Sequence, residues 1–264
     1  MIIEALQYAA TTPVTPSEFR PFIGSSVSLW SRATRCKNEW AAHEGNCRRF
    51  IADTIGRMRQ RRTAVVLGSG LVRDVPVEAL VRSFDTVVLV DLVHLASVRL
   101  WLKAKRLDNV RLVHRDLSGF SDALVEGRPE PLAFLRQVPY LDLVISANLL
   151  SQIGVGTERR LENEKDAPPA DVVPQLLEAH LRDLTALPCT TVLLTDVAYR
   201  IVGRSGETLK SADLMRGVSA PNADEHWPWP VVPFGEQGRD YQIVHQVIAK
   251  RVLRWGDCNA AIQE

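Results

Sequence analysis

The chain has 264 residues, 46% of them hydrophobic and 24% charged, with 32 basic against 31 acidic side chains. That length allows one large domain or two small ones, and the apolar fraction excludes a disordered chain. The near-zero net charge removes the bulk electrostatic case for a nucleic-acid or membrane-surface binder. Four irregularly spaced cysteines, Cys36, Cys47, Cys189 and Cys258, do not make a disulfide scaffold. The first residues, MIIEALQYAATTP, have no basic n-region, and no apolar run approaches the roughly 20 residues that span a bilayer. A soluble, cytoplasmic protein with no membrane partner is expected. Of the 32 basic residues 26 are Arg, a skew that a GC-rich genome produces as readily as anion recognition does.

Residues 1–29 read as irregular, punctuated by Pro13, Pro16, Pro21 and Gly24. From Leu29 to Arg62 the pattern predicts one or two helices, with Phe50, Ile51, Ile55 and Met58 at helical spacing. Six arginines between 48 and 62 make this stretch basic, as a solvated face or as a site for an acidic ligand. Strands then alternate with helices. Residues 64–67 form an apolar run ending in Gly68-Ser69-Gly70, and 75–83 a helix with Asp74 as its candidate N-cap. Residues 86–90 are a doubly buried strand, 94–107 an amphipathic helix, and 110–113 and 141–146 further strands. The polar segment 154–170 reads as a mobile lid, 171–187 as a helix and 190–195 as the fifth strand. A long connection follows, and residues 241–255 suit one long strand or most of a hairpin. Such alternation implies a parallel sheet covered on both faces, with ligands at the carboxyl ends of its strands.

Four corners lie there. Glycines in the 68–70 turn let the backbone approach a ligand closely. Asp91, 23 residues after Gly68, is placed to accept from both hydroxyls of a ribose. Asp116 closes the third strand, where a carboxylate can accept from an adenine amine while the N–H of Leu117 meets a ring nitrogen. Asn148 ends the fourth strand and projects toward the reacting end of such a ligand. The third glycine position of a dinucleotide fingerprint is Arg73, and the Walker pattern is absent, which disfavours a nicotinamide or nucleoside triphosphate.

In these residues the chain resembles the class I S-adenosylmethionine-dependent methyltransferases: VVLGSG is similar to their first motif, VVLVDL to the second, RLVHRDL to the third and DLVISANLLSQI to the fourth. The acidic residue usual before the glycines is replaced by Val66 or Leu67. The resemblance implies an α/β, three-layer Rossmann-like sandwich with a mostly parallel seven-stranded sheet whose last strand is reversed. It implies S-adenosylmethionine as cofactor, held by Gly68, Ser69 and Gly70 at the methionine end, by Asp91 and Leu92 at the ribose, by Asp116 and Leu117 at the adenine, and by Asn148 near the methyl group. Residues 1–60 are expected to form an N-terminal helical cap over a methyltransferase domain of residues 61–264.

The expected function is methyl transfer to oxygen or nitrogen of a small-molecule acceptor. The alternatives are a binding or assembly protein that retains the fold without catalysis, and an NAD(P)-dependent oxidoreductase. A nucleic-acid substrate is disfavoured, since Asn148-Leu-Leu-Ser lacks an aromatic clamp for a flipped base. A homo-oligomer stays open. Displacement at a sulfonium carbon needs orientation more than a fixed side-chain set, but a hydroxyl acceptor gains from a histidine base. His226, in the ADEHWPWPVVPFG segment, and His43 are the candidates, with Trp30, Arg35, Trp40, Trp227 and Trp229 as acceptor-pocket residues. His180 reads as a core histidine, His94 and His114 as neighbours of the cofactor strands, and His245 as a structural residue in mid-strand. Cys36, His43 and Cys47 lack the spacing and the fourth ligand of a zinc site, and no metal is expected.

Overall fold

The computed structural model describes residues 2–126, 128–162 and 171–252. Three helices, α1 (Ile2–Thr11), α2 (Ile23–Arg35) and α3 (Lys37–Arg57), precede β1 (Thr63–Leu67). There follow α4 (Val77–Ser83), β2 (Thr86–Asp91), α5 (Ala96–Ala104), β3 (Val110–His114), α6 (Phe120–Glu126), β4 (Leu141–Ala147), α7 (Leu150–Leu161) and α8 (Val172–Thr185). The chain then turns to strands: β5 (Thr190–Gly203), β6 (Thr208–Asp213), β7 (Glu225–Val232) and β8 (Tyr241–Arg251).

One sheet holds all the described strands in the order β3-β2-β1-β4-β5-β8-β7, with β6 beside the outer half of β5. β1 to β5 are parallel, and β8 runs antiparallel to β5. This is a three-layer Rossmann-like α/β sandwich with the reversed strand that the sequence resemblance implies. It has eight strands rather than seven. The extra one arises because β5 continues to Gly203, well past the end of β4, and β6 folds back to pair with the part of β5 that β4 leaves uncovered.

Side-chain alternation builds the layers. Ala64 and Val66 of β1, Leu143 and Ile145 of β4, and Val192 and Leu194 of β5 point to one face, against Phe50, Ile51 and Ile55 of α3, Leu80 of α4 and Val98 of α5. Val65, Leu67, Val144 and Leu193 point to the other, against Leu150 and Ile153 of α7 and Leu176, Leu177 and Leu181 of α8. α3 therefore shares its core with the first strand, and α2 joins it through Ile23 and Val27.

Other expectations change. The first residues form α1, because the three prolines all lie beyond its last turn. The long connection after β5 contains β6 and β7. Pro228 and Pro230 are tolerated in β7 because it is an edge strand, paired only with β8, so that a missing N–H can face outward. Asp74 does not cap α4, which starts after Pro76. Of the predicted lid, residues 154–161 are helical and 163–170 lie outside the described residues, as do 253–255 of the predicted last strand. No helix among the described residues is long and apolar enough to cross a membrane.

Candidate active site

A cleft of about 1090 Å³ opens over the carboxyl ends of β1 to β5, roofed by α2 and walled by α7, β7 and β8. The parallel order makes that edge the meeting place of the four predicted corners.

The glycine turn forms its floor. Gly68 has φ +71°, and a Cβ there would lie 2.9 Å from Leu149 Cβ and 3.1 Å from the Ala147 carbonyl oxygen. Gly70, at φ +46°, donates its N–H to Asp91 Oδ2 at 2.7 Å, which fastens the turn to the end of β2. Asp91 Oδ1 receives a long bond, 3.4 Å, from the Val93 amide and keeps acceptor capacity toward the cleft. Burial raises the Asp91 pKa, and the amides of Gly70, Val93 and Leu92 oppose that rise. Ser69, between the glycines, is buried with its hydroxyl unpaired.

Asp116 sits beyond the end of β3. Its Oδ1 accepts from the Ser118 amide and hydroxyl at 2.9 and 2.6 Å, and its Oδ2 accepts from Arg160 Nη1 at 2.9 Å. Burial would raise its pKa, but the Ser118 bonds and the Arg160 charge outweigh it and hold the carboxyl below the usual range. The Arg160 guanidinium lies over the rings of Phe22 and Phe120, with centroids at 5.0 and 5.5 Å. Leu92, Leu117 and Asn148 line the same cleft as Gly68, Gly70, Asp91 and Asp116. Asn148 takes φ +49° and bonds Asp74 Oδ2 through Nδ2 at 2.5 Å.

Arg73, where a dinucleotide fingerprint has a small residue, pairs with Glu44 of α3 at 2.6 Å. α4 starts only at Val77, so position 73 is not pressed between helix and strand and needs no small residue. The same displacement keeps the α4 N-terminus from the position beside the turn that an anion site would require.

The predicted catalytic and acceptor residues separate. Trp227 and Trp229 point inward from β7, and alternation sends His226, the residue before Trp227, to the exposed side, away from the cleft. His43 is buried beneath the cleft wall: its ring stacks on Trp229 at 3.9 Å, and Nδ1 accepts the Trp227 indole N–H at 3.1 Å. Burial lowers its pKa to about 4, so it is neutral. Trp40 and Trp229 line the cleft and meet edge to face at 5.1 Å. Trp30 packs against the core, and Arg35 bonds both carboxylate oxygens of Glu236 outside the cleft. Among the described residues no three His, Cys, Asp or Glu side chains converge as a metal site.

A pair that sequence reasoning passes over occupies the other end of the cleft. Asp196, near the middle of β5, bonds His245 Nδ1 of β8 through Oδ2 and accepts the Ser151 hydroxyl through Oδ1. Burial would raise the Asp196 pKa, but its bond and charge pairing with His245 bring it down. Both Asp196 and His245 line the cleft, and His245 Nε2 makes no hydrogen bond among the described residues. His180, by contrast, is a core residue, fully buried and bonded to Ser146 at 3.0 Å.

No protein-family model matches the sequence. No curated protein matches it either. Among solved structures the chain is similar to the YcgJ protein from Bacillus subtilis, at 10% identity over 80% of this chain and 99% of that one, with a TM-score of 0.44. It is also similar to the structure described as a DhpI-SAM-HEP complex, at 15% identity over 83% and 94% of the two chains, TM-score 0.38. A SAM-dependent methyltransferase from Aquifex aeolicus follows at 10% identity over 75% and 87%, TM-score 0.34. At these identities and scores the neighbours say nothing of activity.

Proposed function

We propose that this protein is an S-adenosylmethionine-dependent methyltransferase acting on a small-molecule acceptor. The observation that supports it is the convergence of a glycine turn and two carboxylates, Asp91 and Asp116, from three adjacent strand ends on one cleft. The residues present fit the cofactor. Asp91 Oδ1 has free acceptor capacity for ribose hydroxyls, and Asp116 Oδ2 keeps a lone pair beside Arg160 for an adenine amine. At Gly70 a Cβ would make only ordinary van der Waals contacts, at 3.8 Å from the Gly68 carbonyl oxygen and 3.9 Å from Asp91 Oδ2.

When bound, the cofactor supplies an activated methyl group on a sulfonium. The chain's own part is orientation: the turn fixes the methionine end, Asp91 and Asp116 fix the nucleoside, and Asn148 borders the reacting end. Trp40 and Trp229 exclude water from the acceptor side and so strengthen the electrostatic interactions there.

Calorimetry with S-adenosylmethionine and S-adenosylhomocysteine tests this. Micromolar binding of either is expected. Asp91→Ala should weaken it by at least about 1–3 kcal/mol, through the lost ribose bonds and the loosened Gly70 amide. No heat with either ligand, for folded protein, would overturn the assignment; unchanged affinity in the variant would overturn the ribose contact.

A further inference from the structure

The end of the cleft away from Asp91 and Asp116 has a distinct chemistry. Its wall is an apolar cluster that includes Leu29, Trp40, Trp229 and Val231. Trp229 Nε1 and Arg32 Nε, both of cleft-lining residues, are buried donors without an acceptor. The Arg32 guanidinium makes no hydrogen bond among the described residues and stands 3.7 Å from Glu236, a carboxylate whose two oxygens already receive Arg35. Arg35 thus occupies both oxygens of Glu236 and also lies near Glu4, whereas the Arg32 guanidinium is left at the cleft without a hydrogen bond among the described residues.

His245 stands in the same half. A β-bulge places it. Asp196 pairs with Val247, Ala198 with Gln246 and Tyr199 with His245, so Val197 is the inserted residue. In a regular strand Asp196 and Tyr199, three positions apart, would point to opposite faces. The inserted residue restores them to one face, and His245 is held between the Asp196 carboxylate and the Tyr199 ring, whose centroid lies 5.7 Å away. Bulges next to active sites re-aim side chains in this manner. With Nδ1–H donated to Asp196, Nε2 is left bare as a base. The titratable groups around it are Asp196 and Tyr199 from β5 and the neutral His43 from α3; β7 supplies only the Trp229 edge, at 6.1 Å.

We propose that the methyl acceptor is an aromatic hydroxy acid, that His245 Nε2 takes the proton of its hydroxyl, and that Arg32 binds its carboxylate while its ring lies against Trp40 and Trp229. Asp196 is the positioning residue that fixes the imidazole tautomer, and Ser151 orients Asp196. The step balances. The hydroxyl proton moves to Nε2, the oxygen electron pair forms the new O–C bond, and the S–C pair leaves with the sulfur of the sulfonium donor. A neutral amine acceptor would need no such base.

This inference rests on the methyl-transfer reading, and its test separates the two. Calorimetry with S-adenosylhomocysteine comes first, and failure there removes the cofactor reading alone. Nitrogen-15 spectra of histidine-labelled protein without ligand then report His245 directly. The expected result is the Nδ1–H tautomer with bare Nε2 in the wild type, exchanged for Nε2–H in Asp196→Asn; an Nε2–H wild type overturns the base assignment. Finally the three hydroxybenzoate isomers, benzoate and phenol are titrated into the S-adenosylhomocysteine complex. At least one hydroxybenzoate should bind about tenfold more tightly than both benzoate and phenol, and Arg32→Gln should abolish that advantage over phenol. His245→Gln should leave S-adenosylhomocysteine affinity unchanged while methyl transfer to that isomer falls at least about a hundredfold. A panel in which no isomer exceeds benzoate and phenol overturns the substrate class.

Discussion

Gly68 shows how one residue joins backbone strain to function. Its φ of +71° is a conformation that costs an L side chain roughly 1–2 kcal/mol. A methyl group there would also press within 2.9 Å of Leu149 Cβ, at the start of the segment that carries Asn148. Gly68→Ala should therefore lower the unfolding free energy by at least ~2 kcal/mol in urea titration. Gly70→Ala meets only the milder backbone cost, because its added carbon has space, and should spare most of the stability while filling the cleft floor and weakening cofactor binding. Equal losses of stability in the two variants would contradict this division. Gly68, Gly70 and Asp91 were legible in the sequence because they follow wholly apolar runs, which is how a buried strand announces its end, and Asp116 because it closes the alternating strand that comes next. The pairing of His245 with Asp196 was not: 49 residues separate them, and it depends on the register of β8 against β5 and on the bulge at Val197.

At the scale of the element, register and edge position decided what composition could not. Two prolines in WPWPVV argue for a loop wherever the neighbours of the segment are unknown, and only the pairing of β7 with β8 alone makes them compatible with a strand. Once β7 is a strand, Trp227 and Trp229 share one face and His226 lies on the other, so the exposure of His226 follows from alternation. Irregular proline spacing concealed the N-terminal helix in a similar way, although α1 matters to the sheet layers. The first residue of α5 follows Leu95, which has no side-chain oxygen to cap it; the Ala96 N–H is instead met by Thr11 Oγ1 from the end of α1, at 3.1 Å. Thr11 is fully buried and also donates to the Gln7 carbonyl at 2.7 Å. Thr11→Val keeps the shape and removes both bonds, so a loss of about 1–2 kcal/mol is expected, the usual worth of a capping hydroxyl. Amide exchange should quicken first in the opening turn of α5, and a variant with wild-type exchange there would show that α1 does not cap it.

For the whole molecule, the sandwich buries three histidines in its two layers: His43 under the cleft wall, His94 beside β3 and His180 between β4 and α8. Burial lowers each pKa from about 6.5 to about 4. Between those values the unfolded chain binds a proton at each site and the folded chain does not. Acid therefore favours unfolding, by up to ~1.4 kcal/mol per pH unit for each histidine. Two buried carboxyls, Asp74 and Asp91, have raised pKa values and take up protons earlier in the folded state, which offsets part of the loss as the pH nears their range. Asp116, Asp142 and Asp196, held low, add their own acid loss only below the ordinary carboxylate range. Below pH 6.5 each buried histidine thus contributes a fall in the urea unfolding free energy, against which Asp74 and Asp91 act, and a single-histidine variant isolates its share. His180→Gln is the cleanest check, because it keeps a partner for Ser146 and stands outside the cleft: its slope should be shallower than the wild type by about 1.4 kcal/mol per pH unit. Parallel slopes for the two proteins would mean that His180 takes its proton in the folded state, against the complete burial that the packing of α8 on β4 imposes on it.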